Sequence, residues 1–362
     1  MTDLDARRAE GELRDGLRYP WPQPPAGGQV LEVASGVWWL RMPLPFRLDH
    51  INLYLLRHEA GWVVVDTGMN TAETRATWTR VLTEVCAGEP VLAVICTHFH
   101  SDHAGLAAWL TERFRCALYM TAGEFQWLHV RAPDGEASWA FVDFYRKAGF
   151  DQERIDALHA AIQNTHFRPL PCTGFRRLRQ GSRLRIGGRN WTVQVGSGHS
   201  PEHACLYAAD DGLLISGDQV LPRITSTVGV QPTEPEANPL QDWLTSIEQL
   251  RAVPDTVLVL PAHERPFFNL HQRLDQLQAH HQGHLARMLA HCVEPRNALD
   301  LMALLFPRAS GSFDELMALG ETLAHANYLM AEGALVREER GGLLWYRQAP
   351  TGASAPDPQA VF

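Results

Sequence analysis

Four side chains able to bind a metal ion fall within six residues of this chain: His98, His100, Asp102 and His103, in the run Thr97-His98-Phe99-His100-Ser101-Asp102-His103-Ala104-Gly105. Imidazole nitrogen and carboxylate oxygen form a donor set for divalent transition ions. His98 and His100 lie two apart, so on an extended loop their rings can grip one ion, while Asp102 and His103 can turn towards a second. A single histidine is more often solvated or hydrogen-bonded than metal-bound, but this density favours the metal. Three later residues complete the set: His199 in a glycine-rich turn, Asp218 in Ser216-Gly217-Asp218, and His263 in Pro261-Ala262-His263. Five histidines and two aspartates suffice for two four- or five-coordinate ions sharing a carboxylate and a water.

Each ligand segment follows a short apolar run that reads as a strand: residues 91–96, 191–195, 213–215 and 256–260. Loops at the C-terminal ends of strands are where α/β folds keep their sites. Upstream, strand-like runs occur at 36–42, 51–57 and 62–66. A helix is predicted from Asn70, with Glu73 three residues on as a capping box, to about Cys86, and another from Gly105 to about Phe114. Asp66 ends its strand in Asp66-Thr67-Gly68. A carboxylate there can accept a hydrogen bond from a ligand imidazole and fix its tautomer, although Asp-Thr-Gly also suits a tight turn.

The pattern H-x-H-x-D-H, then His, Asp and His in that order, together with Asp66-Thr67-Gly68, resembles the metallo-β-lactamase-fold hydrolases over roughly residues 29–270. The resemblance implies a four-layered αββα sandwich. It implies that His98, His100 and His199 bind metal one, that Asp102, His103 and His263 bind metal two, and that Asp218 bridges them. An aspartate at the bridging position is similar to the glyoxalase II and thioesterase branches. Zinc, two ions per chain, is the first choice for this donor set, and iron or manganese would tolerate it. The leading expectation is hydrolysis of a thioester or related activated acyl compound, with a small-molecule acyl substrate and Asp102 as the catalytic proton acceptor. A phosphodiesterase or ribonuclease is the alternative, lactone hydrolysis a third. A regulatory binding protein with a vestigial site is the non-enzyme reading, and occupation of all seven ligand positions argues against it.

With 362 residues, 45% of them hydrophobic, the chain can bury a full core, and a formal net charge of −9 disfavours nucleic acid or an anionic membrane as partner. No run approaches a membrane span and the N-terminal residues lack the apolar core of a secretory signal, so a cytoplasmic protein is expected. Cys86, Cys96, Cys116, Cys172, Cys205 and Cys292 are scattered without a C-x-x-C pair and read as reduced thiols.

The expected organisation is an N-terminal arm (1–28), a catalytic domain (29–268), a winged-helix-like domain (269–349) and a proline- and alanine-rich tail (350–362). A helical insertion at 121–167, carrying Phe125, Trp127, Leu128, Trp139, Phe141, Phe144 and Tyr145, is either an aromatic lid for an acyl group or ordinary helix packing. In the C-terminal part, helices are expected at 271–292, 297–306 and 312–333, the last with a Ser312/Glu315 capping box, followed by a hairpin. The third helix is acidic, so packing or homodimerisation is expected there rather than nucleic-acid binding. His280, His284 and His291 share a helical face and could bind adventitious metal, with solvation the leading expectation. Glu202 and His203 stand outside the candidate ligand set. Arg265 reaches either an anionic substrate group or a structural ion pair.

Overall fold

The computed structural model describes residues 3–130, 136–163 and 172–350. It divides into two compact units. The first comprises Met1–Arg131, Thr165–Ser226 and Ser246–Asp275; the second comprises Ala132–Asn164, Thr227–Thr245 and Gln276–Phe362.

The chain begins with α1 (Asp3–Glu10) and a hairpin of β1 (Glu12–Arg14) and β2 (Leu17–Tyr19). This segment is more than an arm: Leu17 and Tyr19 are buried, and Arg18 bridges to Phe268. A seven-stranded sheet follows in sequence order: β3 (Val30–Ala34), β4 (Val37–Pro43), β5 (His50–His58), β6 (Gly61–Val65), β7 (Val91–Ile95), β8 (Ala117–Met120) and β9 (Arg176–Arg177). Pairing is antiparallel as far as β6 and parallel beyond it. Parallel neighbours require crossovers. These are α2 (Ala72–Glu84) before β7, and the short α3 (Ser101–Ala104) with α4 (Ala107–Phe114) before β8. α5 (Ala122–His129) follows β8.

The second sheet has the order β10 (Arg183–Ile186), β11 (Arg189–Gly196), β12 (His203–Ala208), β13 (Leu213–Gly217) and β14 (Leu258–Pro261), with only β13 and β14 parallel. Trp39, Tyr54, Val63, Val65 and Ile95 of the first sheet share one core with Trp191, Val193, Leu206, Ile215 and Leu260 of the second. The other face of the first sheet packs Leu53, Leu55, Val64 and Val94 against Trp78 and Val81 of α2 and Ala107 and Leu110 of α4. Covered on both faces, β5 is buried continuously from His50 to Leu56, which is why it reads as an apolar run without alternation. These facing sheets with helices outside are the mixed α/β sandwich expected.

α2 starts later than predicted. Its cap is Thr71, whose hydroxyl accepts from Thr74 N, while the Asn70 carboxamide accepts from the Arg75 guanidinium instead. The predicted insertion is divided: α5 belongs to the first unit, whereas α6 (Trp139–Ala148) and α7 (Gln152–Gln163) belong to the second. Residues 131–135 and 164–167 of the predicted insertion lie outside the described residues.

α8 (Pro239–Gln249) precedes β14, and α9 (Leu270–His291) follows it. The C-terminal part continues with β15 (Arg296–Asn297), α10 (Ala298–Leu305), α11 (Ser312–Ala331), β16 (Leu335–Arg340) and β17 (Leu343–Gln348). The three strands pair in the order β15-β17-β16, and the hairpin turns on Gly341 and Gly342, both at positive φ as a two-residue turn demands. α10 carries a capping box of Asn297 and Asp300. The box predicted at Ser312 does not form, because Gly311, at φ 82°, is the cap and its carbonyl accepts from Glu315 N. Among the described residues no helix is long and apolar enough to cross a membrane.

Candidate metal centre

Five strands of the first unit deliver side chains to one place from their C-terminal ends. β6 leads into Asp66, β7 into the His98 to His103 loop, β11 into His199, β13 into Asp218 and β14 into His263. All seven predicted ligand residues are brought together. His98 Nε2 lies 2.8 Å from His100 Nδ1 and 3.2 Å from His199 Nε2. In the second set, His103 Nε2 and His263 Nε2 lie 3.7 and 3.4 Å from Asp102 Oδ2. Asp218 offers one oxygen to each set: Oδ2 is 3.4 Å from His199 Nε2, while Oδ1 is 3.5 Å from His103 Nε2 and 3.4 Å from His263 Nε2. The groups His98, His100, His199, Asp218 and Asp102, His103, His263 each place one donor atom per residue within 4.8 Å of the others.

The proton positions follow from the hydrogen bonds around the rim. Asp66, 2% exposed, accepts from Thr97 N at 2.8 Å, from the Thr97 hydroxyl at 2.9 Å and from His103 Nδ1 at 2.8 Å. The hydroxyl proton of Thr97 is thus committed to Asp66, so its oxygen accepts from His98 Nδ1 at 3.1 Å. His263 Nδ1 donates to the His50 carbonyl at 2.9 Å. His98, His103 and His263 are thereby turned with Nε2 towards the centre, the arrangement that outer partners impose on metal-binding histidines. Asp66 sits at φ 59°, a left-handed conformation that aspartate tolerates better than most residues.

The donor set fits divalent cations. His103 Nε2 and Asp218 Oδ1 are buried without a hydrogen-bond partner. Burial pushes His98 well below the usual histidine range and His100 to about 3, so both rings are neutral and each can offer a lone pair to a cation. Burial opposes charge on His103 and His263 too, yet the carboxylates outweigh it, raising His103 and bringing His263 to about 10. Burial likewise works against the Asp102 charge, but His103 and His263 hold its carboxyl at about 2. The carboxylates thus call for positive charge at this point, which a cation supplies on displacing the histidine protons.

Glu124, at the start of α5, was not legible as part of the site. It is fully buried and accepts from Phe99 N at 3.0 Å, and from the Ser200 hydroxyl and Glu202 N at 2.7 Å each. It therefore ties the loop of His98 and His100 to the loop of His199. Its partners are mostly backbone amides, which leave no mark in residue spacing. His203, also fully buried, accepts from Asp218 N at 3.1 Å and so holds the backbone of the shared aspartate. Glu202 accepts from Gly123 N at 2.7 Å. Arg265 pairs with Glu12 at 2.8 Å, donates to the Pro22 carbonyl and lies over the Tyr19 ring, so it serves the structure rather than a substrate. Phe99, half-buried beside His100, faces the half-buried Trp127 of α5 at a ring distance of 5.6 Å.

Comparison with known proteins follows the same lines. Residues 47–263 match the metallo-beta-lactamase superfamily, and residues 285–349 match the metallo-beta-lactamase-like C-terminal domain. "Probable metallo-hydrolase YqjP" of Bacillus subtilis (strain 168) is 25% identical over 85% of this chain and 96% of its own. The acyl-coenzyme A thioesterase MBLAC2 of Homo sapiens is 26% identical over 65% of this chain and 80% of its own. Among solved structures, a beta-lactamase domain protein from Burkholderia ambifaria is 41% identical, with a TM-score of 0.86 over 92% of this chain and 98% of that one. A metallo-beta-lactamase family protein from Thermus thermophilus is 30% identical, with a TM-score of 0.74 over 88% of this chain and 100% of that one. The chain belongs to the metallo-beta-lactamase superfamily and carries that superfamily's C-terminal domain.

Proposed function

We propose that this protein is a hydrolase that uses two divalent cations, zinc first among them, to cleave thioesters of small acyl compounds. The observation that carries the reading is Asp218, whose two oxygens face two separate ligand sets. His98, His100 and His199 would hold one cation, Asp102, His103 and His263 the other, and Asp218 both. Bound there, the pair would supply a water acidic enough to ionise near neutral pH and polarisation of the acyl carbonyl.

The remaining work falls to the chain. Asp66 and Thr97 keep His98 and His103 in the productive tautomer, and the His50 carbonyl does the same for His263. Asp102 is the carboxylate placed to take up the proton released as the acyl carbon becomes tetrahedral. Phe99 and Trp127 offer an apolar wall beside His100 for the acyl chain. The thioesterase relatives support an acyl thioester over a phosphodiester. The helix, strand, helix, helix, hairpin order supports a winged-helix-like C-terminal domain. Asp314 and Glu315 in the first turn of α11, with Glu332 at its C-terminal cap, favour packing or self-association over nucleic acid.

The test is thiol release from acyl-coenzyme A and acyl-glutathione panels by zinc-loaded protein, beside Asp102→Ala. The parent should turn over, and the variant should be slower by at least ~100-fold. Cleavage of phosphodiesters or lactones with no thioester turnover would overturn the substrate class.

A further inference from the structure

A second cluster of side chains able to bind a metal lies in the second unit and shares no residue with the candidate metal centre. α9 contributes His280, His281 and His284, and α11 contributes Glu321 and His325. Their burial is unlike that of a solvated face: His281 and His325 are 0% exposed, Glu321 7% and His284 9%, with His280 alone open to solvent. Two overlapping groups, His280 with His284 and Glu321, and His281 with Glu321 and His325, each bring one donor atom per residue within 4.8 Å of one another.

Hydrogen bonds account for only part of this cluster. His325 Nδ1 donates to the Glu321 carbonyl at 2.7 Å, so its Nε2 accepts from His281 Nδ1 at 3.1 Å. That pair is thereby committed to anchoring α9 on the backbone of α11. Even so, Glu321 Oε1, His284 Nδ1 and His281 Nε2 are buried with no hydrogen-bond partner. A buried polar atom without a partner is costly, more so when charged, so three of them in one cluster call for a ligand. Burial, the only cause acting on it, pushes the Glu321 carboxyl up to about 8. The histidines around it are pushed down by burial, His284 to about 4, so they supply lone pairs and not positive charge.

We propose that His280, His284 and Glu321 form a third metal site, separate from the hydrolytic centre, that takes one divalent transition ion of the zinc class. Two histidines one helical turn apart and a carboxylate make an N2O donor set suited to such ions. His280, at the surface, is the entry side, and the buried His281 and His325 fix the main chain behind Glu321. Bound there, the ion clamps α9 to α11, which makes its role structural. This inference does not depend on the proposed hydrolysis.

Zinc content of the chelator-stripped, zinc-reloaded and dialysed full chain tests it, read by elemental analysis beside His284→Ala and His280→Ala. Each variant should hold one zinc fewer per chain than the parent, or bind that zinc at least ~10-fold more weakly, with thiol-release or other hydrolytic rates unchanged. Should His284→Ala misfold, His280→Ala, altered at an exposed position, carries the test alone. Equal zinc content and affinity in parent and His280→Ala would overturn the proposal. Subtracting variant from parent gives the same answer however many ions the hydrolytic centre holds.

Discussion

Asp66→Asn isolates the charge that orients the His103 imidazole in the candidate centre. The substitution preserves shape, and asparagine tolerates the left-handed backbone at φ 59°, which alanine would strain. The carboxamide oxygen can keep the bonds from Thr97 N and Thr97 Oγ1, at 2.8 and 3.1 Å to Oδ1. Its NH2 group then replaces Oδ2 opposite His103 Nδ1, a donor facing a donor at 2.8 Å in a 2% exposed position. Loss of a charge-assisted bond costs about 1.5–3 kcal/mol, and a buried donor left unpaired about 1–3 kcal/mol. The two overlap, so we expect roughly 2–4 kcal/mol less stability in metal-free protein. Zinc affinity at the centre should fall about 10- to 100-fold, because His103 loses the partner that aims its Nε2. Urea unfolding of chelator-stripped protein gives the first quantity, and competition with a chromophoric chelator the second. A loss under about 1 kcal/mol together with unchanged zinc affinity would refute the assignment of His103 orientation to Asp66.

Glu124→Ala should leave Phe99 N, Ser200 Oγ and Glu202 N without their acceptor, lowering stability by about 2–4 kcal/mol in urea unfolding and turnover by at least ~10-fold. Gly217→Ala places a Cβ 2.5 Å from the buried His203 Nε2 at a backbone φ of 50°. The crowding and the left-handed strain together should cost roughly 2–5 kcal/mol, read by thermal unfolding, and shift Asp218 enough to reduce turnover. Removing metal with a chelator should lower the unfolding midpoint, because free zinc at about 100 times Kd stabilises the bound state by ~2.7 kcal/mol; an unchanged midpoint in differential scanning calorimetry would contradict a preformed centre.

The parts of the site visible in the sequence are those where side chain meets side chain at fixed spacing. His98 to His103 follow the apolar strand β7, and His199, Asp218 and His263 each follow another, so strand ends marked the ligands. Asp66 was legible because it closes β6 with a carboxylate, and the bond to His103 forms as expected. Glu124 was not, since most of what it accepts comes from the main chain. Helix caps failed by local competition: Asn70 gave way to Thr71, and Ser312 to a glycine whose positive φ starts the helix one residue earlier. Amphipathic periodicity says that a helix has a covered face but not what covers it. Hence α6 and α7 could be read equally as a lid or as packed helices, and His284, buried in the second unit, as solvated or metal-binding.

The proposed two-cation centre at Asp218 is tested most directly by anomalous scattering at the zinc edge from crystals of the zinc-loaded protein. Two peaks about 3.5–4 Å apart are expected, one against His98, His100 and His199 and one against Asp102, His103 and His263, with Asp218 between them. A single peak, or two that leave Asp218 unliganded, would contradict it.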